Sequence, residues 1–208
     1  MELNGPFGFI YKASIWITKL AYMNILWILF SVAGFILLGI FPATVSIFAI
    51  IRKWRKGDTE VPIFKTFWRF YRSEFFKSNQ LGFILLIIGF ILYVDLRILY
   101  LTGGFLQLLY YPILILFFIY LLVCLNAFPV YVHYELKALQ IIRTSFIRII
   151  INPLSTLAML AGTIGVIFLT NFIPGIIPFF SVVLLALVLV WSFFITTKGI
   201  SGVSKNNR

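Results

Sequence analysis

The stretch GIFPATVSIFAIIRKWRKGD, residues 39–58, joins a long apolar run to a dense group of basic residues. Four of the five residues from Arg52 to Lys56 are Lys or Arg, whereas the run from Ile40 to Ile51 contains no charge. An apolar segment that ends abruptly in positive charge is typical of a membrane span that stops at the cytoplasmic surface. The stretch therefore predicts a membrane protein and the side on which this span ends.

The composition of the whole chain agrees with this interpretation. Of the 208 residues, 62% are hydrophobic and only 11% are charged, whereas about a quarter of the residues of a soluble domain are charged. Such a chain has too little polar surface to cover an exterior that faces water. We therefore expect a single membrane domain, residues 1–208, without room for a separate soluble catalytic module.

Five apolar runs are long enough to cross a bilayer, which takes about 20 residues in helical conformation. We therefore expect an all-α, polytopic helical membrane protein. The expected spans are 24–51, 80–101, 108–132, 154–172 and 177–197. The first run is unusually long and contains Gly34, Gly39 and Pro42, so we expect it to bend near Pro42 or to tilt strongly.

The distribution of Lys and Arg among the connections predicts the orientation. Segments 52–79 and 133–152 and the tail after residue 197 are basic, whereas 102–107 and 173–176 carry no charge. Because basic loops stay in the cytoplasm, we expect the C-terminus inside and, with five spans, the N-terminus outside.

Two lysines disagree with this orientation, because Lys12 and Lys19 would lie outside. In one interpretation, residues 6–20 form an interfacial helix from which both lysines reach the headgroups. In the other, 24–51 is a re-entrant hairpin broken at Gly39–Pro42, and the N-terminus lies inside. The five-span arrangement is our expectation, and the hairpin is its alternative.

Two basic amphipathic segments, 59–79 and 134–151, are expected to lie on the cytoplasmic face. In the first, aromatic residues such as Phe67 and Trp68 recur at helical spacing, with Arg69 on another side. In the second, a polar stripe consists of Lys137, Gln140, Thr144 and Arg148. Both segments suit contact with anionic headgroups or with a partner protein, and the sequence does not choose between them.

Few residues suggest chemistry. The chain has no P-loop, dinucleotide fingerprint or HExxH motif and no GxSxG motif, and its single histidine, His133, has no second metal ligand nearby. We therefore expect no catalytic, metal or cofactor site and no enzyme activity. The basic residues responsible for the net charge of +11 flank the apolar spans. We therefore expect them to orient the chain rather than to bind nucleic acid.

Polar residues within the expected spans give an alternative function. Asp95 and Arg97 lie in the second span, and Asn126 lies in the third. Ionisable groups inside a membrane are costly and often functional, so a small transporter or channel that uses Asp95, Arg97 and Asn126 is the alternative. The competing structural explanation places Asp95 and Arg97 at the outer headgroups, where Arg97 can reach water.

The region from residue 39 to 84 resembles the signature of the YesL family of bacterial integral membrane proteins. The matching elements are FPAT at 41–44, RKW at 52–54, Gly57, Asp58, KTFW at 65–68, Glu74, Phe75, Asn79 and Gly82, with YVHYELK at 131–137 and NPL at 152–154. The resemblance implies a domain of unknown function in the bacterial cytoplasmic membrane. It also implies genes that often neighbour carbohydrate-uptake ABC transporters and sensor kinases.

The working hypothesis from this resemblance is a non-enzymatic accessory or regulatory component of carbohydrate uptake. Its basic cytoplasmic face would contact anionic headgroups and an ABC sugar permease or a sensor kinase. The residues expected to make this contact are Arg52, Lys53, Trp54, Arg55, Phe67, Trp68 and Arg69.

Overall fold

The structure is a computed structural model that describes residues 6–102 and 104–195, and this part of the chain is helical without any strand. The α-helices in it are α1 (Pro6–Ala33), α2 (Ile40–Arg55), α3 (Ile63–Ser73), α4 (Phe75–Thr102), α5 (Tyr110–His133), α6 (Ala138–Ile151), α7 (Pro153–Phe172) and α8 (Ile177–Phe193). Short 3₁₀ turns at Gly104–Leu109 and Pro174–Ile176 precede α5 and α8. Five of the described helices are long and apolar enough to cross a membrane, namely α1, α4, α5, α7 and α8. The expected all-α polytopic fold is confirmed.

The last four expected spans correspond to α4, α5, α7 and α8, with shifted ends. Helix α4 begins at Phe75 rather than at residue 80, and α8 ends at Phe193, before the described residues themselves end. The amphipathic segments are shorter than expected. Glu74 interrupts the helix between α3 and α4, and α6 begins only at Ala138.

The expected first span, 24–51, is divided between two helices. Helix α1 ends at Ala33 and α2 begins at Ile40, and the six residues between them reverse the chain. Phe35 and Ile36 in this turn have φ angles of 56° and 62°, a left-handed conformation that costs a non-glycine residue roughly 1–2 kcal/mol. A Cβ on Gly34 would lie 2.4 Å from the Cα of Gly39, so the turn requires glycine there.

Pro42 does not bend a span, contrary to the expectation. It lies in the first turn of α2, where the backbone N–H of a helix has no partner within the helix and proline is tolerated. The FPAT element therefore starts a helix after the chain reversal.

Helices α1 and α2 form an antiparallel hairpin. The rings of Trp16 and Trp54 meet edge to face with their centroids 5.0 Å apart, and Nε1 of Trp27 donates a hydrogen bond of 3.0 Å to Oγ1 of Thr44. The start of α1 therefore lies beside the basic end of α2. Lys19 strengthens this pairing, because its Nζ donates to the carbonyl of Thr59 at 3.0 Å.

Helix α2 is the centre of the bundle. None of its 16 residues is exposed, and it packs against α1, α3, α4, α5 and α8. Its start fits closely against α4, because a Cβ on Gly82 would lie 2.3 Å from the ring of Phe41. The apolar run that predicted a lipid-facing span is therefore apolar because protein surrounds it.

The remaining long helices alternate in direction. The hydroxyl of Tyr120 in α5 donates to the carbonyl of Leu85 in α4 at 2.8 Å, and Ser155 in α7 donates to the carbonyl of Ser192 in α8 at 2.8 Å. Asn24 in α1 joins the first and last helices, since its amide donates to the Pro178 carbonyl at 2.7 Å and its Oδ1 accepts from backbone N–H groups of α8.

This order gives the bundle two different ends. At one end, which we call the basic end, α1, α4 and α7 begin, α2, α5 and α8 end, and α3 and α6 are located. At the opposite end are the turns 34–39, 104–109 and 173–176, which carry no charge. Of the charged residues in 6–102 and 104–195, only Asp95 and Arg97 belong to the half of a helix nearer the opposite end.

The five-span arrangement expected the two termini on opposite sides. The hairpin in the structure joins α1 and α2 through the turn 34–39, not at the Gly39–Pro42 break of the hairpin interpretation, but it too places the start of α1 and the end of α8 together at the basic end. The reason is that α2 returns the chain to the end from which α1 started, so Lys12 and Lys19 join the other cations. Residues 1–5 and 196–208, the termini themselves, lie outside the described residues.

Candidate functional site at the basic end

Four basic side chains from three helices gather around the last turn of α8. Arg52 and Arg55 come from the last turn of α2, His133 from the end of α5, and Arg148 from α6. We call these four residues the inner cluster. Because α2, α5 and α8 all end here, the negative ends of three helix dipoles face the three arginines and favour their charge.

Arg148 is the most buried member, with 7% of its surface exposed. Its Nη2 donates to the carbonyl of Phe193 at 3.1 Å, and its guanidinium lies 3.6 Å from the centroid of the Phe193 ring. Burial lowers the pKa of Arg148, and its contact with Tyr134 offsets part of that effect. Arginine stays charged even so, and it satisfies a carbonyl that the end of α8 leaves open.

Arg52 satisfies a carbonyl near the end of α5 in the same way. Its Nη1 donates to the carbonyl of Val132, one residue before the end of that helix. His133, the next residue, packs its ring against Phe193 and Phe194, with centroids 5.4 and 5.3 Å apart. The two residues therefore tie the ends of α2, α5 and α8 together.

Arg55 makes aromatic contacts and no hydrogen bond among the described residues. Its guanidinium lies 4.3 Å from the centroid of Trp191 and 5.7 Å from that of Phe194. A guanidinium over an aromatic face gains roughly 0.5–2 kcal/mol, depending on how far it is desolvated. Its donors remain available to a ligand.

The inner cluster has more donors than the described protein satisfies. Nε of Arg52, Arg55 and Arg148 and Nδ1 of His133 are all buried without a hydrogen-bond partner. In residues 6–102 and 104–195 no carboxylate lies within 4.0 Å of a cationic nitrogen. Glu135, the acidic residue closest in sequence, is exposed. The arrangement is that of a site with excess positive charge.

A second group of cations faces outward on α3. Lys65, Arg69 and Arg72 are exposed and lie on one side of the helix, at the i, i+4 and i+7 spacing. We call them the outer stripe. Phe64 and Trp68 beside them are 52% and 45% exposed, so the surface mixes cations with large aromatic rings.

The structure separates the residues that the sequence proposed for partner contact. Arg69 and Trp68 face outward, and Lys53 is half-buried without a hydrogen bond. Trp54 and Phe67 are instead buried, with 7% and 0% of their surface exposed. Both belong to the core of the bundle: Phe67 lies on the buried side of α3, and Trp54 of α2 meets Trp16 of α1.

Comparison with known proteins matches the chain to a family of unknown function. A family model described as "Protein of unknown function, DUF624" matches residues 20–96. The chain is 40% identical over 186 residues to "Uncharacterized protein YteU" of Bacillus subtilis (strain 168), covering 89% of this chain and 84% of that protein. The chain belongs to the DUF624 family. No solved structure matches it.

Other relatives of the family come from the same organism. "Uncharacterized protein YesL" is 37% identical over 179 residues, which cover 84% of this chain and 82% of that protein. "Uncharacterized protein YesV" is 34% identical over 176 residues, which cover 84% and 85%. The resemblance to the YesL family inferred from FPAT, RKW and KTFW is confirmed. The matched region 20–96 spans the second half of α1, all of α2 and α3, and most of α4, so the DUF624 model covers α2 and three of the five helices that enclose it.

The residues of the alternative transport path do not come together. The contact between Tyr120 and Leu85 sets the pairing of α4 and α5. With that pairing, Asp95 lies toward the opposite end and Asn126 toward the basic end, roughly 20 Å apart along the helices. Arg97 is exposed, and Asn126 is fully buried, with its Nδ2 bonded to the Leu122 carbonyl of its own helix at 3.0 Å. The three residues do not line one path.

The sequence did not predict that α5 and α6 contribute His133 and Arg148 to the inner cluster. Arg148 was expected on a polar stripe facing headgroups, but it points inward together with Ala138, Ile141 and Ser145. The four buried positions are three or four residues apart, so this spacing was a signal in the sequence. The partner that satisfies Arg148 lies 45 residues away on α8, and no local pattern could show it.

Proposed function

We propose that this DUF624 protein is an accessory or regulatory subunit that binds a carbohydrate transporter or a sensor kinase through its basic end. The observation that carries the proposal is the outer stripe. Lys65, Arg69 and Arg72 form no ion pair with any described residue and lie beside exposed aromatic rings. Aromatic residues and arginine are enriched at protein interfaces. A surface that contacts only water has no need for this combination.

The orientation of the protein supports the same proposal. If the basic end faces the cytoplasm, as positive charge in short loops predicts, α3 lies on the side where cytoplasmic domains of transporters and kinases lie. The same cations attract anionic headgroups, at about 1 kcal/mol each near the surface. The headgroups would then hold α3 at the height at which a membrane-bound partner meets it. The link to carbohydrate uptake comes from the family resemblance and not from the geometry.

Site-specific crosslinking in native membranes tests the proposal. A photoreactive residue at position 69 is introduced into the full chain, in cells grown on a plant polysaccharide, and the crosslinked products are identified by mass spectrometry. We expect a transporter subunit or a sensor kinase among them. The combined substitution Lys65→Glu, Arg69→Glu and Arg72→Glu, with the photoreactive residue moved to position 68, should abolish that product.

Arg97→Glu provides the control, because it reverses one exposed charge near the opposite end. With the photoreactive residue at position 68, this variant should give the same product as the unmodified stripe. Recovery of lipids alone, or of no transport or signalling protein above the level without irradiation, would contradict the proposed function.

A further inference from the structure

We propose that the inner cluster is a binding site for a phosphate group, presented at the basic end by a lipid headgroup or by a soluble phosphate. The site is separate from the outer stripe, and it does not depend on the proposed partner. It combines residues of α2, α5 and α6 that only the fold brings together.

The first argument is the number of unsatisfied donors in one place. Buried polar groups in proteins almost always have a hydrogen-bond partner, and each one left without costs roughly 1–3 kcal/mol. The inner cluster has three such donors, the Nε groups of Arg52, Arg55 and Arg148, and Nδ1 of His133 beside them is also buried without a partner. They belong to neighbouring side chains, since His133 and Arg55 both pack against the Phe194 ring.

The second argument is the sign of the charge. Three guanidinium groups lie at this end of the bundle with no carboxylate within 4.0 Å among the described residues, and Lys56 adds an exposed cation beside them. The helix ends compensate only part of this charge, with about half an elementary charge each. An anion completes the balance, and arginine binds phosphate in a planar, two-pronged geometry that suits two or three neighbouring guanidiniums.

The third argument is access. The crevice between α2, α5 and α8 is lined by Arg52, His133 and Phe193 and has no space for a water-sized sphere. The phosphate therefore meets the cluster at its mouth. Arg55 is only half-buried and makes no hydrogen bond among the described residues, so its flexible side chain can turn its donors toward the mouth while Arg52 and Arg148 stay fixed on α5 and α8.

The surroundings favour a lipid as the source of the phosphate. Trp191, which contacts Arg55, is 53% exposed, Ile195 after the end of α8 is 52% exposed, and Leu139 on α6 is 70% exposed. Apolar side chains around a cationic group suit an acyl chain below a headgroup. A basic pocket between membrane helices on the cytoplasmic side is a typical place for such a lipid.

The experiment measures retention of phosphatidylglycerol by the full-length protein. The protein is reconstituted in nanodiscs of equal parts phosphatidylglycerol and phosphatidylcholine, and the lipids that remain bound after transfer to detergent are counted by native mass spectrometry. We expect preferential retention of one phosphatidylglycerol. Arg55→Gln should weaken it roughly tenfold, since a hydrogen bond to a charged group is lost.

Arg143→Gln is the matched control, because Arg143 is an exposed arginine of α6 at the same end, outside the inner cluster. It should leave retention unchanged, and Arg55→Lys should restore part of what Arg55→Gln loses. Arg55 donates no hydrogen bond to the described backbone, so its replacement should preserve folding. Size-exclusion chromatography and the thermal midpoint check this for each variant.

A second arm distinguishes the two sources of phosphate. The thermal midpoint of the protein in neutral detergent is measured with millimolar inorganic phosphate. The reference sample contains chloride at the same ionic strength and neither phosphate nor sulfate. A rise with phosphate that Arg55→Gln removes, without retention of phosphatidylglycerol, supports the site with a soluble ligand. Neither retention nor a rise, or equal losses for Arg55→Gln and Arg143→Gln, overturns the proposal.

Discussion

Helices α2 and α3 are neighbours in the chain, and both carry parts of the DUF624 signature and several basic residues. Helix α2 is enclosed by five other helices and has no exposed residue, whereas α3 exposes Lys65, Arg69 and Arg72. Packing therefore accounts for the residues of FPAT, whose Phe41 meets Gly82 and whose Thr44 meets Trp27. Packing does not account for the cations of α3, and these are the residues to examine for function.

The first prediction concerns the contact on which the enclosure of α2 depends most. Gly82→Ala should lower the free energy of unfolding by about 3 kcal/mol, because the added Cβ overlaps the Phe41 ring and must displace the start of α2. Reversible unfolding in mixed micelles measures the change. The control is Gly165→Ala on α7, where a Cβ would meet nothing within 4 Å. If both variants are equally stable, α2 is less tightly enclosed than the structure indicates.

The second prediction compares two adjacent cations of α2. Arg52→Met should destabilise the protein by about 2 kcal/mol, because the Val132 carbonyl loses a charged donor. Lys53→Met should change the stability by less than about 0.5 kcal/mol, since Lys53 makes no hydrogen bond with described residues. Both variants lose one positive charge, so the difference between their unfolding free energies isolates the hydrogen bond. Equal losses would show that only the net charge matters.

The third prediction is the smallest and concerns the threonine of FPAT. Thr44→Val keeps the shape of the side chain but removes the acceptor for Nε1 of Trp27, and should cost about 1 kcal/mol. Thr163→Val on α7 is the comparison, because Thr163 bonds only to the Met159 carbonyl of its own helix. Thermal midpoints in detergent measure both. A Thr44→Val protein as stable as Thr163→Val would mean that the tryptophan finds another acceptor.

The contrast between α2 and α3 also explains what the sequence could predict. Helices α4, α5, α7 and α8 were predictable, because long apolar runs between basic and charge-free connections have one explanation in a membrane protein. The division of 24–51 was not, because hydropathy does not distinguish a helix that faces lipid from one that faces protein. The glycines at positions 34 and 39 bracket the turn, but a glycine in a membrane helix also serves close packing.

The candidate site was predictable only in part. The basic residues at positions 52, 53 and 55 were identified from their density, and their place at one end of the bundle followed from the pattern of loops. The inner cluster required Arg148 and His133, which join Arg52 through the ends of α5 and α8. Those contacts link residues 45 to 80 positions apart, and a single sequence without structural information contains no record of them.

The enclosure of α2 has a consequence for the way the protein is made. Helix α2 is synthesised early and rises only about 24 Å over its 16 residues, which is less than the thickness of a bilayer. One of the helices that enclose it, α8, emerges from the ribosome more than 120 residues later. Until then, the hairpin of α1 and α2 lacks α8, and the side of α2 that α8 later covers is exposed. The enclosure of α2 is therefore complete only when α8 has been made. A chain that stops before α8 leaves one side of α2, the central helix of the bundle, facing lipid.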